Sequence, residues 1–235
     1  MQKQQKFSAN EKLSRLIHED HSLLMVISRF GLSLGFGDKT VKEVCESSGI
    51  DCDTFLAVVN FLSEENFEVD NVNENISIVS IVDYLKNAHS YFLSFKLPAI
   101  RNKLLEAVNV NDENIPYGII FMKFFDEYVS EVQKHMEYED KVVFPYVLQL
   151  IKGENDPRYS ISIFQDRHNE IDSKLEELKN ILIKYYPAKG SNHLLTEVLF
   201  DILSCEIDIV SHNRVEDYLF VPTIEAIERK NNELK

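Results

Sequence analysis

The amino-acid sequence predicts an all-α protein, a four-helix up-down bundle preceded by a small helical N-terminal unit. Three observations predict it. Gly and Pro are scarce, 7 and 6 in 235 residues, while 44% of the chain is hydrophobic, ample for a core. Four long segments carry apolar residues at helical spacing, and only short breaks separate them. Two of the four contain the same unusual pattern, His135-x-x-x-Glu139 and His212-x-x-x-Glu216. Each is followed six residues after the Glu by a proline, Pro145 and Pro222.

The N-terminal unit, residues 1–65, holds three short helical candidates. Thr40-Val-Lys-Glu43 is a capping-box pattern that opens the second, and Asp53 can cap the third. The polar stretch EENFEVDNVNEN begins at Glu64 and reads as a linker, assigned to 66–76. The bundle takes 77–235. Its first segment runs from about Ile78 to Val108, with Leu85, His89, Phe92, Lys96 and Ile100 on or near one stripe. The second starts at Pro116, a residue suited to a first helical turn, and runs to about Ile151. The third spans about Tyr159 to Tyr186, with Ile161, Phe164, His168, Ile171, Leu175, Leu178 and Leu182 inward. After the break PAKGSN, the fourth runs from about His193 to Arg229.

A lone His-x-x-x-acid pattern means little. With 39 acidic residues and 7 His, about one is expected by chance. Here His135, His168, His193 and His212 all have one. Apolar periodicity separates them. The second segment's stripe reads Phe121, Phe125, Tyr128, Val132, His135, Glu139, Val142, Tyr146. The fourth reads Leu195, Val198, Ile202, Cys205, Ile209, His212, Glu216, Leu219, Thr223. Both His-Glu pairs occupy core positions, whereas His193 and Glu197 fall off the stripe. Segments one and three each add a single inward histidine, His89 and His168, so a helix pair is used twice.

The inward polar set is therefore His89, His135, Glu139, His168, His212 and Glu216. Burying such groups unpaired costs roughly 1–3 kcal/mol per neutral group and more per carboxylate. No inward Lys or Arg is evident to neutralise the two glutamates, and metal cations would do so directly. Six ligands with two carboxylates able to bridge fit two ions. Each ion would take two His and share both Glu, leaving room for a bridging oxygen and an open position. Zinc alone would favour a closed tetrahedral set. His and carboxylate with vacancies suits iron that meets a small diatomic ligand or an electron.

At these residues the sequence resembles a known family. HMEYEDKVVFP and HNRVEDYLFVP, with His89 and DRHNEID, are similar to the hemerythrin-like bundle. More closely they resemble the di-iron proteins that repair damaged iron–sulfur clusters. In that family a small helical domain precedes the bundle, with a Cys-Cys-Gly-Gly-like turn and then a Gly-Ile-Asp motif. This chain has Gly31-Leu-Ser-Leu-Gly-Phe-Gly37, Thr40-Val-Lys-Glu-Val-Cys and Gly49-Ile-Asp51. Gly35 and Phe36 stand where the paired cysteines would be, which removes any chemistry of that pair. Four His with two Glu also departs from oxygen-carrying hemerythrins, which use a fifth His.

The resemblance implies two iron ions in an oxo- and carboxylate-bridged centre, held by the six residues above. It also implies a role in repairing clusters damaged by nitrosative or oxidative stress. The expected partners are oxygen or nitric oxide and damaged iron–sulfur proteins, and a homodimer is left open. A rival reading is a sensor or carrier of oxygen or nitric oxide. A third is a DNA-binding regulator, because Thr40 to Asn60 has the outline of a helix-turn-helix. From Asp38 to Glu64 that unit has two basic and six acidic residues, a poor surface for DNA. The net charge of −14 argues against nucleic acid and anionic membranes. Three widely spaced Cys make no disulfide framework, and there is neither a signal-like apolar run nor a membrane-spanning one. A cytoplasmic protein is expected.

Overall fold

The structure is a computed structural model that describes residues 6–63, 76–109, 115–154, 158–165, 172–185 and 193–233. Among these residues there is no strand, only an isolated bridge between Lys12 and Thr40. The chain divides into two compact units. The first comprises 1–88, 147–156 and 214–235, and the second 89–146 and 157–213.

In the first unit the N-terminal helices are α1 (Leu13–Glu19), α2 (Leu23–Arg29), α3 (Val41–Ser48) and α4 (Cys52–Ser63). The first expected helix is thus broken in two. Asp20 causes the break: its carboxylate accepts from the Ser22 backbone N–H at 2.9 Å, a local bond that competes with helix continuation. The capping box forms as expected, with Thr40 N–H donating to Glu43 at 2.8 Å and Glu43 N–H donating to the Thr40 hydroxyl at 3.2 Å. Gly49 ends α3 in the left-handed region at φ 68°, a backbone that L residues rarely adopt. Asp51 rather than Asp53 caps α4, accepting from Thr54 N–H at 2.8 Å.

Cys45 and Cys52 flank that turn. Burial, and then the adjacent Cys52, push the Cys45 thiol up to about 12. Burial raises the Cys52 thiol against a lowering hydrogen bond from Cys45, and Asp53, Asp51 and Glu46 add to the rise. Thiolate being the reactive form, an alkylating reagent at about pH 8 should modify half-buried Cys52 first. Cys45 and Cys205, both buried, should react only after unfolding. Peptide mapping by mass spectrometry checks that order.

The remaining described helices are α5 (Ile78–Tyr91), α6 (Leu97–Asn109), α7 (Ile115–Tyr138), α8 (Phe144–Leu150), α9 (Ser162–Gln165), α10 (Asp172–Tyr185), α11 (His193–Val215) and α12 (Val221–Glu233). In the second unit α7 packs against both α6 and α10. Gly118 makes the α6–α7 approach close, since a Cβ there would lie 3.2 Å from Val108.

Among the described residues three π-turns interrupt the helical runs: Phe92–Lys96 between α5 and α6, Glu139–Val143 between α7 and α8, and Glu216–Phe220 between α11 and α12. Each is closed by an i→i−5 bond, Leu97 N–H to Phe92 O, Phe144 N–H to Glu139 O and Val221 N–H to Glu216 O. In all three a proline follows that closing residue: Pro98, Pro145 and Pro222. Proline cannot donate to the carbonyl four residues back, and its ring crowds that carbonyl. Widening the preceding turn by one residue relieves both.

The extra residue shifts the register, which corrects one expectation. Val142 was assigned to the inward stripe, yet it is 38% exposed, and Val143, Phe144 and Val147 are the buried positions. Up to Glu139 the expected stripe is buried: Phe121, Phe125, Tyr128 and Val132 are each at most 2% exposed.

Candidate metal centre

The two π-turns of the repeated pattern begin on the candidate carboxylates themselves, Glu139 and Glu216. Both carboxylates are fully buried, and His89 and His212 nearly so. In the second unit, His89, Glu139 and His212 each offer one ligand atom, all within 4.8 Å of one another. Glu139 joins two helical runs. Its Oε2 lies 2.9 Å from His89 Nε2, and its Oε1 lies 2.8 Å from His135 Nε2. His135 retains 12% side-chain exposure. His212 adds its ring edge-on to His89, with centroids 5.2 Å apart. Glu216 lies in the first unit, one turn beyond His212 along the same helical run. His168 falls outside the described residues.

Burial by itself pushes the Glu139 carboxyl up. The hydrogen bonds from His135 and His89, with their charge, outweigh it and hold the group below the ordinary carboxylate range. A fully buried carboxylate kept ionised beside two imidazoles has the protonation state that binding a cation requires.

Aromatic rings line the imidazoles. Phe144 stacks on His89 with centroids 5.5 Å apart, Phe164 stacks on His135 at 6.3 Å, and Phe92 meets His212 edge-on at 5.9 Å. Such an apolar wall limits solvent access to the imidazoles and restricts their orientation. Glu131, one turn before His135, pairs with Lys134 at 3.0 Å on a solvated face. The supporting carboxylate missed in the sequence is Asp140, whose Oδ1 lies 3.0 Å from His89 Nδ1. Its position directly after Glu139 was the only signal.

The donor set fits a cation. Among the described residues beyond α4, the buried His, Asp, Glu, Lys or Arg side chains are His89, Glu139, His212 and Glu216, with no cation of Lys or Arg among them. Imidazole nitrogen with carboxylate oxygen suits first-row transition metals.

Comparison with known proteins agrees. Residues 80–224 match the family model described as the Hemerythrin HHE cation binding domain, more than half of the chain. The chain belongs to the hemerythrin HHE family. Its architecture is accordingly an all-α hemerythrin-like bundle preceded by a helical N-terminal part. This hemerythrin-family chain is also similar to the iron-sulfur cluster repair protein ScdA of Staphylococcus haemolyticus (strain JCSC1435). The two are 20% identical over 186 residues, covering 78% of this chain and 83% of that protein. Among the described residues no helix is long and apolar enough to cross a membrane.

Proposed function

We propose that this chain is a non-haem di-iron protein that takes part in repairing iron–sulfur clusters damaged by nitrosative or oxidative stress. The observation that carries the metal part is the buried carboxylate of Glu139, set between two imidazoles with no buried Lys or Arg in the same helices. Likeness to an iron-sulfur cluster repair protein over most of both chains supports the repair part. His89, His135, Glu139, His168, His212 and Glu216 would hold the iron, the two glutamates shared between ions. Iron held there would supply an open coordination position and a one-electron change. The protein's own residues do the rest. Glu139 offsets cationic charge and ties two helical runs together. Phe92, Phe144 and Phe164 keep bulk water from the imidazoles. Cytoplasmic placement, a diatomic ligand such as oxygen or nitric oxide, and assembly as a homodimer belong to the same proposal.

A second reading, a sensor of oxygen or nitric oxide, is favoured by one contact. Phe61 of α4 packs on Tyr218, inside the π-turn that Glu216 opens, with ring centroids 5.9 Å apart. The N-terminal helices would then report the state of that turn.

One experiment separates the readings. Protein purified from iron-replete cells should carry about two irons per chain by elemental analysis. Incubated with an iron–sulfur protein inactivated by nitric oxide, it should restore that protein's cluster absorption. One zinc and no iron would overturn the di-iron reading. Bound iron with no restoration would leave the sensor and overturn repair.

A further inference from the structure

We infer that Asp140 is the positioning residue of His89, fixing the proton on Nδ1 so that Nε2 is the nitrogen presented to the metal. This rests on the metal reading above. The geometry of one ring carries the inference. His89, on the first helical run, meets two consecutive residues of the second, with Nε2 at 2.9 Å from Glu139 Oε2 and Nδ1 at 3.0 Å from Asp140 Oδ1.

The two carboxylates differ in setting. Glu139 is fully buried and faces the other candidate ligands, while the Asp140 side chain is 38% exposed at the rim. Only Nε2 is therefore turned to the interior cluster. A neutral imidazole carries one proton, and the nitrogen that keeps it cannot bind a metal. An acceptor at Nδ1 keeps the proton there, leaves the lone pair on Nε2 and raises its basicity.

The neighbouring charges leave Asp140 to this task. Lys141, the adjacent cation, is bonded to Glu137 at 2.6 Å, and Lys134 is paired with Glu131. The π-turn that starts at Glu139 includes Asp140, so the same proline-driven widening shapes the backbone carrying both groups.

The test compares Asp140→Ala and Asp140→Asn with wild type by competition against an iron chelator, using ferrous iron as the probe. Loss of an outer-shell partner to a ligating histidine weakens metal binding by about 10–100-fold, and that is the loss expected for Asp140→Ala. Asn offers an oxygen that accepts the same hydrogen without the charge, so Asp140→Asn should recover part of the affinity. Helix content by circular dichroism should be unchanged, and if the Ala variant does not fold, the Asn variant carries the comparison.

A second readout needs no metal. Nitrogen-15 spectra of the metal-free Glu139→Ala protein, in which no Glu139 oxygen competes at Nε2, taken at a pH where His89 is neutral, should show the Nδ1–H tautomer, and the Nε2–H tautomer once Asp140→Ala is added. Wild type that binds no iron would break the metal reading, and the tautomer would still decide this inference. Iron affinity within two-fold of wild type in a folded Asp140→Ala protein, or an unchanged tautomer, would overturn it.

Discussion

Glu139→Ala should empty the site, whereas His89→Ala should leave it partly filled. The asymmetry follows from contacts. Glu139 uses both oxygens, one 2.9 Å from His89 and the other 2.8 Å from His135, so it reaches ligands on two helical runs at once. Among the described residues it is also one of two fully buried carboxylates available to offset cationic charge. His89 is one of several candidate ligands and brings no negative charge to offset a cation. Because ligand loss also removes the coupling between binding and folding, iron should fall below about 0.2 per chain in Glu139→Ala, while His89→Ala keeps about one. Elemental analysis of both variants, purified side by side, gives the answer. A His89→Ala protein without iron beside a Glu139→Ala protein that keeps its full complement would refute the role given to the carboxylate.

Much of this site was legible because a buried charge is rare and periodicity exposes it. His135, Glu139, His212 and Glu216 stood out as polar residues on otherwise apolar stripes. Of these, Glu139, His212 and Glu216 are buried and His135 nearly so. His89 was a weaker signal, a single histidine without a paired acid, yet it is 2% exposed and contacts Glu139. What the sequence concealed depends on register and on partners distant in the chain. Periodicity assumes one turn size, so it placed Val142 inward when the π-turn made Val143 the buried residue. Pro145 and Pro222 were visible, but their spacing does not announce a one-residue insertion, and Pro98 escaped the pattern because no His-x-x-x-Glu pair precedes it. Asp140 lies 51 positions from His89, and no local rule links them. The N-terminal unit shows the same limit. Its capping box, a matter of four residues, was readable; the tertiary partners of Phe30 and Phe61 were not.

Those partners set the largest stability effect expected here, for Phe55→Ala. Phe55, in the first turns of α4, is fully buried and meets Phe30 edge-on, with centroids 5.2 Å apart. Phe30 in turn packs on Tyr84 of α5 at 5.0 Å. Polar bonds fasten the same helices: Asn87 Nδ2 donates to Arg29 O at 2.7 Å, and Ser77 N–H donates to the Thr54 hydroxyl at 2.8 Å. Further along α4, Asn60 pins Phe7, accepting from its N–H at 2.8 Å and donating to its carbonyl at 3.0 Å. Next to it Phe61 packs under Arg214, whose guanidinium lies 5.0 Å from the ring centroid. α1 to α4, the start of α5 and the C-terminal run from Arg214 therefore belong to one core. Truncating a fully buried phenylalanine in such a core costs about 3–5 kcal/mol. Because the elements share that core, the loss should not stay in α4. Hydrogen exchange in α12 should quicken together with that in α4, and both should follow one urea transition. Phe55 is not itself a candidate ligand, so iron per folded chain should be unchanged. A loss below about 1 kcal/mol, or faster exchange confined to α1–α4, would show that the N-terminal helices fold as a separate body.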